Sequence, residues 1–200
     1  MSQFNSKLYS KRYYKRHLVQ YREWENAVGR NIVEILHPSS ILDLGCGVGS
    51  YLEGALFAGC KNLLGIDISH DVAKEFFTNE IAGYLQCGNI AEKLNLQPFD
   101  CVMSFESAEH IDPKGTDQFI KNLTELSQKY IVFTAAPPGQ RGTGHINCRE
   151  KKFWINEIQR NGFIYHKDLV DYFVSVWTDY KAPNYILKNL MVFQKHTFSI

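Results

Sequence analysis

Ile41-Leu-Asp-Leu-Gly-Cys-Gly-Val-Gly-Ser50, followed by Leu63-Leu-Gly-Ile-Asp67, is the part of the chain that decides its fold. An apolar strand runs into a glycine-rich turn that opens a helix, and a second apolar strand ends in an acid. Such a pair holds a ribose-bearing ligand at the edge of a parallel sheet. Glycine lets the backbone turn and come close to the ligand without a Cβ clash. The helix beginning near Ser50 offers free N–H groups to an anion, and a carboxylate at the end of the second strand can accept from both ribose hydroxyls. The spacing then narrows the ligand. Gly45, Gly47 and Gly49 stand at every second position, whereas a dinucleotide fingerprint would carry its third glycine at position 50, where this chain has Ser50. The turn therefore reads against NAD or FAD and for a cofactor whose amino-acid part lies across it.

Outward from this stretch, strands and helices alternate. Residues 14–36 carry a helical stripe of Tyr14, Leu18, Tyr21, Trp24 or Glu25, Val28, Ile32 and Ile35, broken near Gly29 and ended by His37-Pro38. Ile41–Leu44 is the first predicted strand, and residues 50–58 form a helix closed by Gly59. Residues 63–68 form the second strand. Ser69 is placed to cap a helix over residues 71–79. Short strands follow at 84–87 and 99–105. A helix starts at Thr116 with Phe119, Ile120, Leu123 and Leu126 on one face, and a fifth strand covers 130–135. Asn147, with Glu150 three residues on, has the spacing of a capping box for a helix to Gln159 that ends at Asn161-Gly162. Residues 173–177 and 190–194 read as two final strands. The β-α alternation implies a parallel sheet covered on both faces, and two last strands with no clear helix between them suit an antiparallel pair at its edge.

Two hundred residues, 44% hydrophobic and 22% charged, suit one soluble domain that buries a core without disulfides. The net charge of +1 is unevenly placed, with seven Lys/Arg against two Glu in residues 1–30. Five cysteines, an odd number with no Cys-x-x-Cys pair, predict a reducing compartment and no structural zinc. The polar start Met1-Ser-Gln-Phe-Asn and the lack of a long apolar run predict a cytoplasmic protein without a membrane segment.

In its glycine turn and its acid-ended second strand, the sequence resembles the class I S-adenosylmethionine-dependent methyltransferases, over roughly residues 35–195. The resemblance implies an α/β Rossmann-like three-layer sandwich: a seven-stranded, mostly parallel sheet with an antiparallel edge strand. It implies a single domain over 1–200, with 1–36 a basic, aromatic arm or lid, and S-adenosylmethionine as cofactor. The cofactor site would comprise Asp43, Gly45, Gly47, Gly49, Asp67, Ile68, Asn89, Ile90 and Phe105. Ile68 and Ile90 would sandwich the adenine ring. Asn89 stands where relatives often carry Asp to meet the adenine amine, and it is also a plausible turn residue.

Phe99-Asp-Cys-Val-Met-Ser-Phe-Glu-Ser-Ala-Glu-His-Ile111 resembles the fourth motif of small-molecule methyltransferases. It puts Glu106, Glu109 and His110 just past a strand, on the side of methyl transfer. The loop after the fifth strand carries Gly144-His-Ile-Asn147. A hydroxyl acceptor must lose a proton, and histidine is suited to take it. His145 is the first candidate base and His110 the second, with Glu106 beside them. The Glu106–Ile111 segment, the Pro137–Asn147 loop and Lys188-Asn-Leu-Met-Val-Phe193 resemble compact bacterial, phage and viral methyltransferases linked to sugar or secondary-metabolite pathways. The expected partner is a small-molecule acceptor, methylated on oxygen, with nitrogen next.

Other readings stay open at this point. The arm Lys7-Leu-Tyr-Ser-Lys-Arg-Tyr-Tyr-Lys-Arg-His17 interleaves charge and rings, so it suits a lid, a nucleic-acid contact or a plain solvated face. No Asn-Pro-Pro-Tyr or Asp-Pro-Pro-Tyr motif follows the fourth strand to favour base methylation. A non-catalytic cofactor-binding module and a nicotinamide enzyme are the remaining alternatives. No spaced ligand set in the sequence identifies a metal, and none is expected. Oligomeric state is not legible.

Overall fold

The computed structural model describes residues 9–196, the side chain of His17 excepted; the first part of the arm, residues 1–8, lies outside them. A sheet of seven strands forms the middle layer: β1 (Ser40–Leu44), β2 (Asn62–Asp67), β3 (Leu85–Cys87), β4 (Phe99–Ser104), β5 (Ser127–Phe133), β6 (Phe163–Tyr165) and β7 (Met191–Lys195). Their order is β3-β2-β1-β4-β5-β7-β6. The pairs from β3 to β5 are parallel, and β7 runs antiparallel to both β5 and the outermost strand β6. Every residue of β1 and β4 is buried. Continuous rather than alternating burial is what a parallel strand covered on both faces requires. The strand order reverses between β1 and β4, which opens a crevice at their carboxyl ends.

Helices α1 (Lys11–Leu36), α2 (Ser50–Phe57) and α6 (Lys167–Asp179) cover one face through Trp24, Val28, Ile32, Leu52, Phe173 and Trp177. Helices α4 (Thr116–Glu125) and α5 (Lys151–Arg160) cover the other through Phe119, Leu123, Trp154 and Ile158. The short α3 (His70–Ala73) follows β2, and α7 (Asn184–Asn189) precedes β7. No helix among the described residues is long and apolar enough to cross a membrane.

Helix α1 runs through Gly29 without a break. A Cβ there would lie 1.9 Å from the Tyr51 carbonyl oxygen, and one at Gly54 would lie 2.0 Å from that of Asn26. The two glycines let the α1 and α2 backbones touch, so the gap in the stripe marks a helix crossing. Gly29→Ala is expected to destabilise the fold by about 1–3 kcal/mol, the usual range for overpacking against atoms that cannot move aside; a thermal or urea midpoint checks it.

Beside the crossing, the buried Glu53 carboxylate accepts from Arg22 Nε at 2.9 Å and Nη2 at 2.6 Å, Asn26 Nδ2 at 2.9 Å and Thr78 Oγ1 at 2.6 Å. Burial alone would raise its pKa. The donors from Arg22, Thr78 and Asn26, with the Arg22 charge, outweigh burial and hold it below the ordinary carboxylate range. A folded pKa below the unfolded one adds stability that is present above the unfolded value and lost as pH falls through the folded value. Arg22→Met should therefore cost about 1–3 kcal/mol at neutral pH. The cost should shrink toward zero once the carboxyl is protonated, as urea titrations at several pH values would show.

Four local expectations are corrected. Residues 173–177 are not a strand but lie within α6, where Val170, Phe173 and Trp177 are buried at helical spacing. The His166 ring accepts from the Leu169 N–H to cap that helix, and the strand sits just before it, as β6. The helix foreseen over 71–79 shrinks to α3 and a 3-10 turn over Lys74–Phe76. Ser69 stands before α3 without capping it, because its hydroxyl is given to Asp67. Asn147 does not cap α5 either: its side-chain amide is buried against Ala108 and Thr116, and Glu150 takes the capping position.

Candidate active site

The crevice at the strand ends is a cleft of about 810 Å³. Its floor is the glycine turn. The backbone N–H groups of Gly45 and Cys46 donate to the Ile66 carbonyl at 2.8 and 3.2 Å, which ties the turn to β2. Gly45 has φ +85°, and a Cβ there would fall 2.2 Å from Ser107 Oγ. Gly47, at φ +53°, has open space where its Cβ would be, so a ligand can lie directly on its backbone. Gly49, also at positive φ, hands the chain to the N-terminus of α2.

Asp67 ends β2 at the cleft. Its Oδ2 accepts from Gly47 N–H at 2.8 Å and its Oδ1 from Ser69 N–H at 2.7 Å. The Ser69 hydroxyl donates to Oδ1 as well, and Tyr14 OH bonds Ser69 Oγ in turn, so a chain of hydroxyls fastens α1 to the end of β2. Asp43, at the β1 end of the floor, is buried, and its Oδ2 has no hydrogen-bond partner among the described residues. Burial, then the Asp67 and Glu25 charges, push its carboxyl well above the ordinary range. Glu25 lines the same end, and burial pushes its carboxyl up to about 8. An orphaned acceptor beside open glycine backbone fits a ligand carrying an ammonium group and a carboxylate.

Along the other wall, Ile68 is exposed to the cleft, with Ile90 and Asn89 close by. Asn89 makes a local turn: its Oδ1 accepts from Ala91 N–H at 3.0 Å and its Nδ2 donates to Glu92 at 2.9 Å. Only the second lone pair of Oδ1 is left for an adenine amine. Phe105 is buried and stacks on Tyr51 with ring centroids 4.2 Å apart. Tyr9, Tyr13 and Tyr14 line the top, while Lys11, Arg12, Lys15 and Arg16 are exposed.

The far end of the cleft joins two segments that are distant in sequence. Glu109 lends its carbonyl to the N–H groups of Ile146 and Asn147, both at 2.9 Å, and the Asn147 amide donates to the Ala108 carbonyl at 3.1 Å. These bonds pin the His145 loop on the 108–110 turn. The His110 and His145 rings come to 5.0 Å, edge to face. His110 Nδ1 faces the Gly144 carbonyl at 3.1 Å, and His145 Nδ1 faces that of Gln140 at 3.2 Å. A carbonyl only accepts, so in the neutral imidazole each Nδ1 carries the proton and each Nε2 the lone pair. Burial, the largest influence, holds His110 below the usual histidine pKa, and so uncharged at neutral pH. Glu106 sits at φ +45°, a rare conformation for a residue with a side chain. Its Oε2 accepts from Gln140 at 2.7 Å and its Oε1 from Asn189 at 3.0 Å.

All twelve residues proposed from sequence therefore border the cleft or build its floor. The reading did not single out Glu25, which it could place only as one of two alternatives on the α1 stripe. It also missed Gln140 and Asn189, which orient Glu106 and which no local pattern marks.

Residues 41–129 match the family model described as a methyltransferase domain. That match covers 89 of the 200 residues, and the sheet order and glycine turn agree with it. Residues 41–129 carry a methyltransferase domain, set in the class I sheet arrangement of S-adenosylmethionine-dependent methyltransferases. No curated protein matches it in sequence. Among solved structures, the methyltransferase is similar to the sugar N-methyltransferase KedS8 from Streptoalloteichus sp ATCC 53650, with TM-score 0.66 and 13% identity over 93% of this chain and 92% of that one. It is similar to magnesium protoporphyrin IX methyltransferase from Synechocystis PCC 6803 with bound S-adenosylhomocysteine, with TM-score 0.61 and 18% identity over 92% and 86%. An O-methyltransferase family protein from Burkholderia thailandensis aligns with TM-score 0.66 and 12% identity, over 95% of this chain but 60% of its own. At these identities the methyltransferase shares the fold with them, and the likeness says nothing of its acceptor.

Proposed function

We propose that the chain moves a methyl group from S-adenosylmethionine to a small hydroxylated acceptor, a sugar or related metabolite. The observation that carries this reading is the pair of imidazoles at the end of the cleft, each with its Nδ1 on a backbone carbonyl and its Nε2 lone pair left over. The cofactor supplies an electrophilic methyl on a sulfonium, so no protein nucleophile is needed. Asp67 accepts from the ribose hydroxyls, and Asp43 accepts from the methionine ammonium. Gly45, Gly47 and Gly49, with the first N–H groups of α2, cradle the methionine carboxylate. Ile68 and Ile90 flank the adenine, Asn89 accepts from its amine, and Phe105 walls the methionine side.

The remaining work is alignment and removal of a proton. Holding acceptor and methyl in line can supply roughly 7–11 kcal/mol of barrier reduction. His145, with His110 second, is placed to take the hydroxyl proton, and Glu106 orients the acceptor. Tyr9, Tyr13 and Tyr14 serve as the underside of a lid whose basic residues face water, which favours a lid over a nucleic-acid contact. Turnover assays over a panel of sugars, phenols and amines, with wild type, His145→Ala and His110→Ala, test the reading. Loss of a proton acceptor should cut kcat by roughly 10²–10⁴-fold, the usual share of general-base catalysis. Near-full turnover in both variants with a true acceptor would remove the histidines from the chemistry.

A further inference from the structure

Sequence reading found no ligand set for a metal, yet the fold assembles one. Glu109, His110 and His145 each offer a ligand atom, and these atoms all lie within 4.8 Å of one another. His145 Nε2 is 3.9 Å from Glu109 Oε1. Glu109 is fully buried, and neither carboxylate oxygen completes a hydrogen bond among the described residues. The Glu106 carboxyl and the Ala136 N–H lie near it without doing so. A carboxylate taken out of water with nothing to donate to it is strongly disfavoured. The other groups on this spot make matters worse. Both imidazoles spend their Nδ1 protons on the Gly144 and Gln140 carbonyls, so they too present lone pairs. Three acceptor side chains converge here with only the Ala136 N–H near them, and such a set suits a cation.

We propose that Glu109, His110 and His145 bind one divalent transition-metal ion at the acceptor end of the cleft. One carboxylate and two imidazoles suit the borderline ion Zn2+ best, with the harder Mn2+ next, ahead of Mg2+ and Ca2+, which call for oxygen ligands throughout. Ligands about 2.0–2.2 Å from one centre lie roughly 3.4 Å apart in a tetrahedron, so modest side-chain rotation closes the set. Three protein ligands leave an open position toward the cleft, the arrangement of a site that takes up a substrate oxygen. The carbonyls behind each Nδ1 would orient the imidazoles as outer partners do in metal sites. The idea rests on the methyltransferase reading but replaces its base: an imidazole whose Nε2 binds the ion cannot also take the hydroxyl proton, so the ion would instead lower the pKa of a bound acceptor hydroxyl, whose proton would leave to solvent.

The test is metal binding, measured without acceptor. Chelator-stripped protein is titrated with ZnCl2, MnCl2 and MgCl2 by calorimetry, and bound metal after dialysis is counted by mass spectrometry. Wild type should retain about one Zn2+ or Mn2+ per chain. His145→Ala and His110→Ala, folded by circular dichroism, should each weaken binding by at least about tenfold. Glu109→Gln adds the carboxylate arm if it folds, and the two histidine variants decide the matter if it does not. No stoichiometric ion on wild type, or variants that bind as tightly as wild type, would overturn the site. A parallel titration of wild type with S-adenosylmethionine keeps the cases apart, because that binding fails only if the methyltransferase reading itself is wrong.

Discussion

Asp67→Ala is expected to weaken S-adenosylmethionine binding by roughly tenfold to several hundredfold, since a hydrogen bond to a charged acceptor contributes about 1.5–3 kcal/mol. The carboxylate has two tasks. Toward the ligand it is the acceptor at the end of β2. Toward the protein it takes the N–H of Gly47 at 2.8 Å and that of Ser69 at 2.7 Å, and so joins the glycine turn to the loop carrying Ile68. Alanine deletes both, and the turn that must lie against the methionine part loses its tether. Asp67→Asn keeps the shape but not the charge, and should fall between wild type and alanine. Calorimetric titration gives the affinity, and a thermal melt of the ligand-free variants separates lost binding from lost fold. An unchanged affinity in Asp67→Ala would remove the ribose from this end of the cleft.

Trp177→Ala should cost about 3–5 kcal/mol of stability, as expected for a large aromatic deleted from a core. Trp177 is fully buried on α6 and stacks on Phe173 at 5.0 Å. Its Nε1 donates to Asn31 Oδ1 at 3.0 Å, a buried bond joining α6 to α1. It also meets Phe105 edge to face at 6.2 Å, so the damage reaches the cleft wall. Truncation opens a cavity and leaves the Asn31 carbonyl without its donor. Trp177→Phe should recover much of the packing but not the hydrogen bond. Urea unfolding of the three proteins measures this, and a cost below about 1 kcal/mol for alanine would contradict the packing of α6 on α1.

What the sequence made legible follows from how local each signal is. The glycine turn and Asp67 were readable because close backbone approach restricts the residue type at each position, and both lie within one βαβ unit. The central strands β1 and β4 were readable because burial on both faces demands a mostly apolar run. Residues 173–177 misled because Phe, Val, Ser, Val and Trp suit a strand by type. The helical period shows only when Val170 is counted with Phe173 and Trp177. The strand itself, Phe163–Tyr165, is too short to show a period. Gly29 looked like a break because a missing side chain reads the same whether a helix ends or another backbone presses on it. The meeting of His145 with Glu109 and His110 was the least legible feature. It depends on Asn147 bonding Ala108 and Thr116 across 39 and 31 residues, and its spacing to Glu150 suggested a helix cap instead.

The most direct test of the central claim is a calorimetric titration of the wild-type chain with S-adenosylmethionine and S-adenosylhomocysteine, beside NAD. Micromolar binding of both methionine cofactors at one site per chain, with no heat from NAD, is the predicted result. Silence from both, or a preference for NAD, would contradict the assignment of the Gly45–Gly49 turn and leave only the fold.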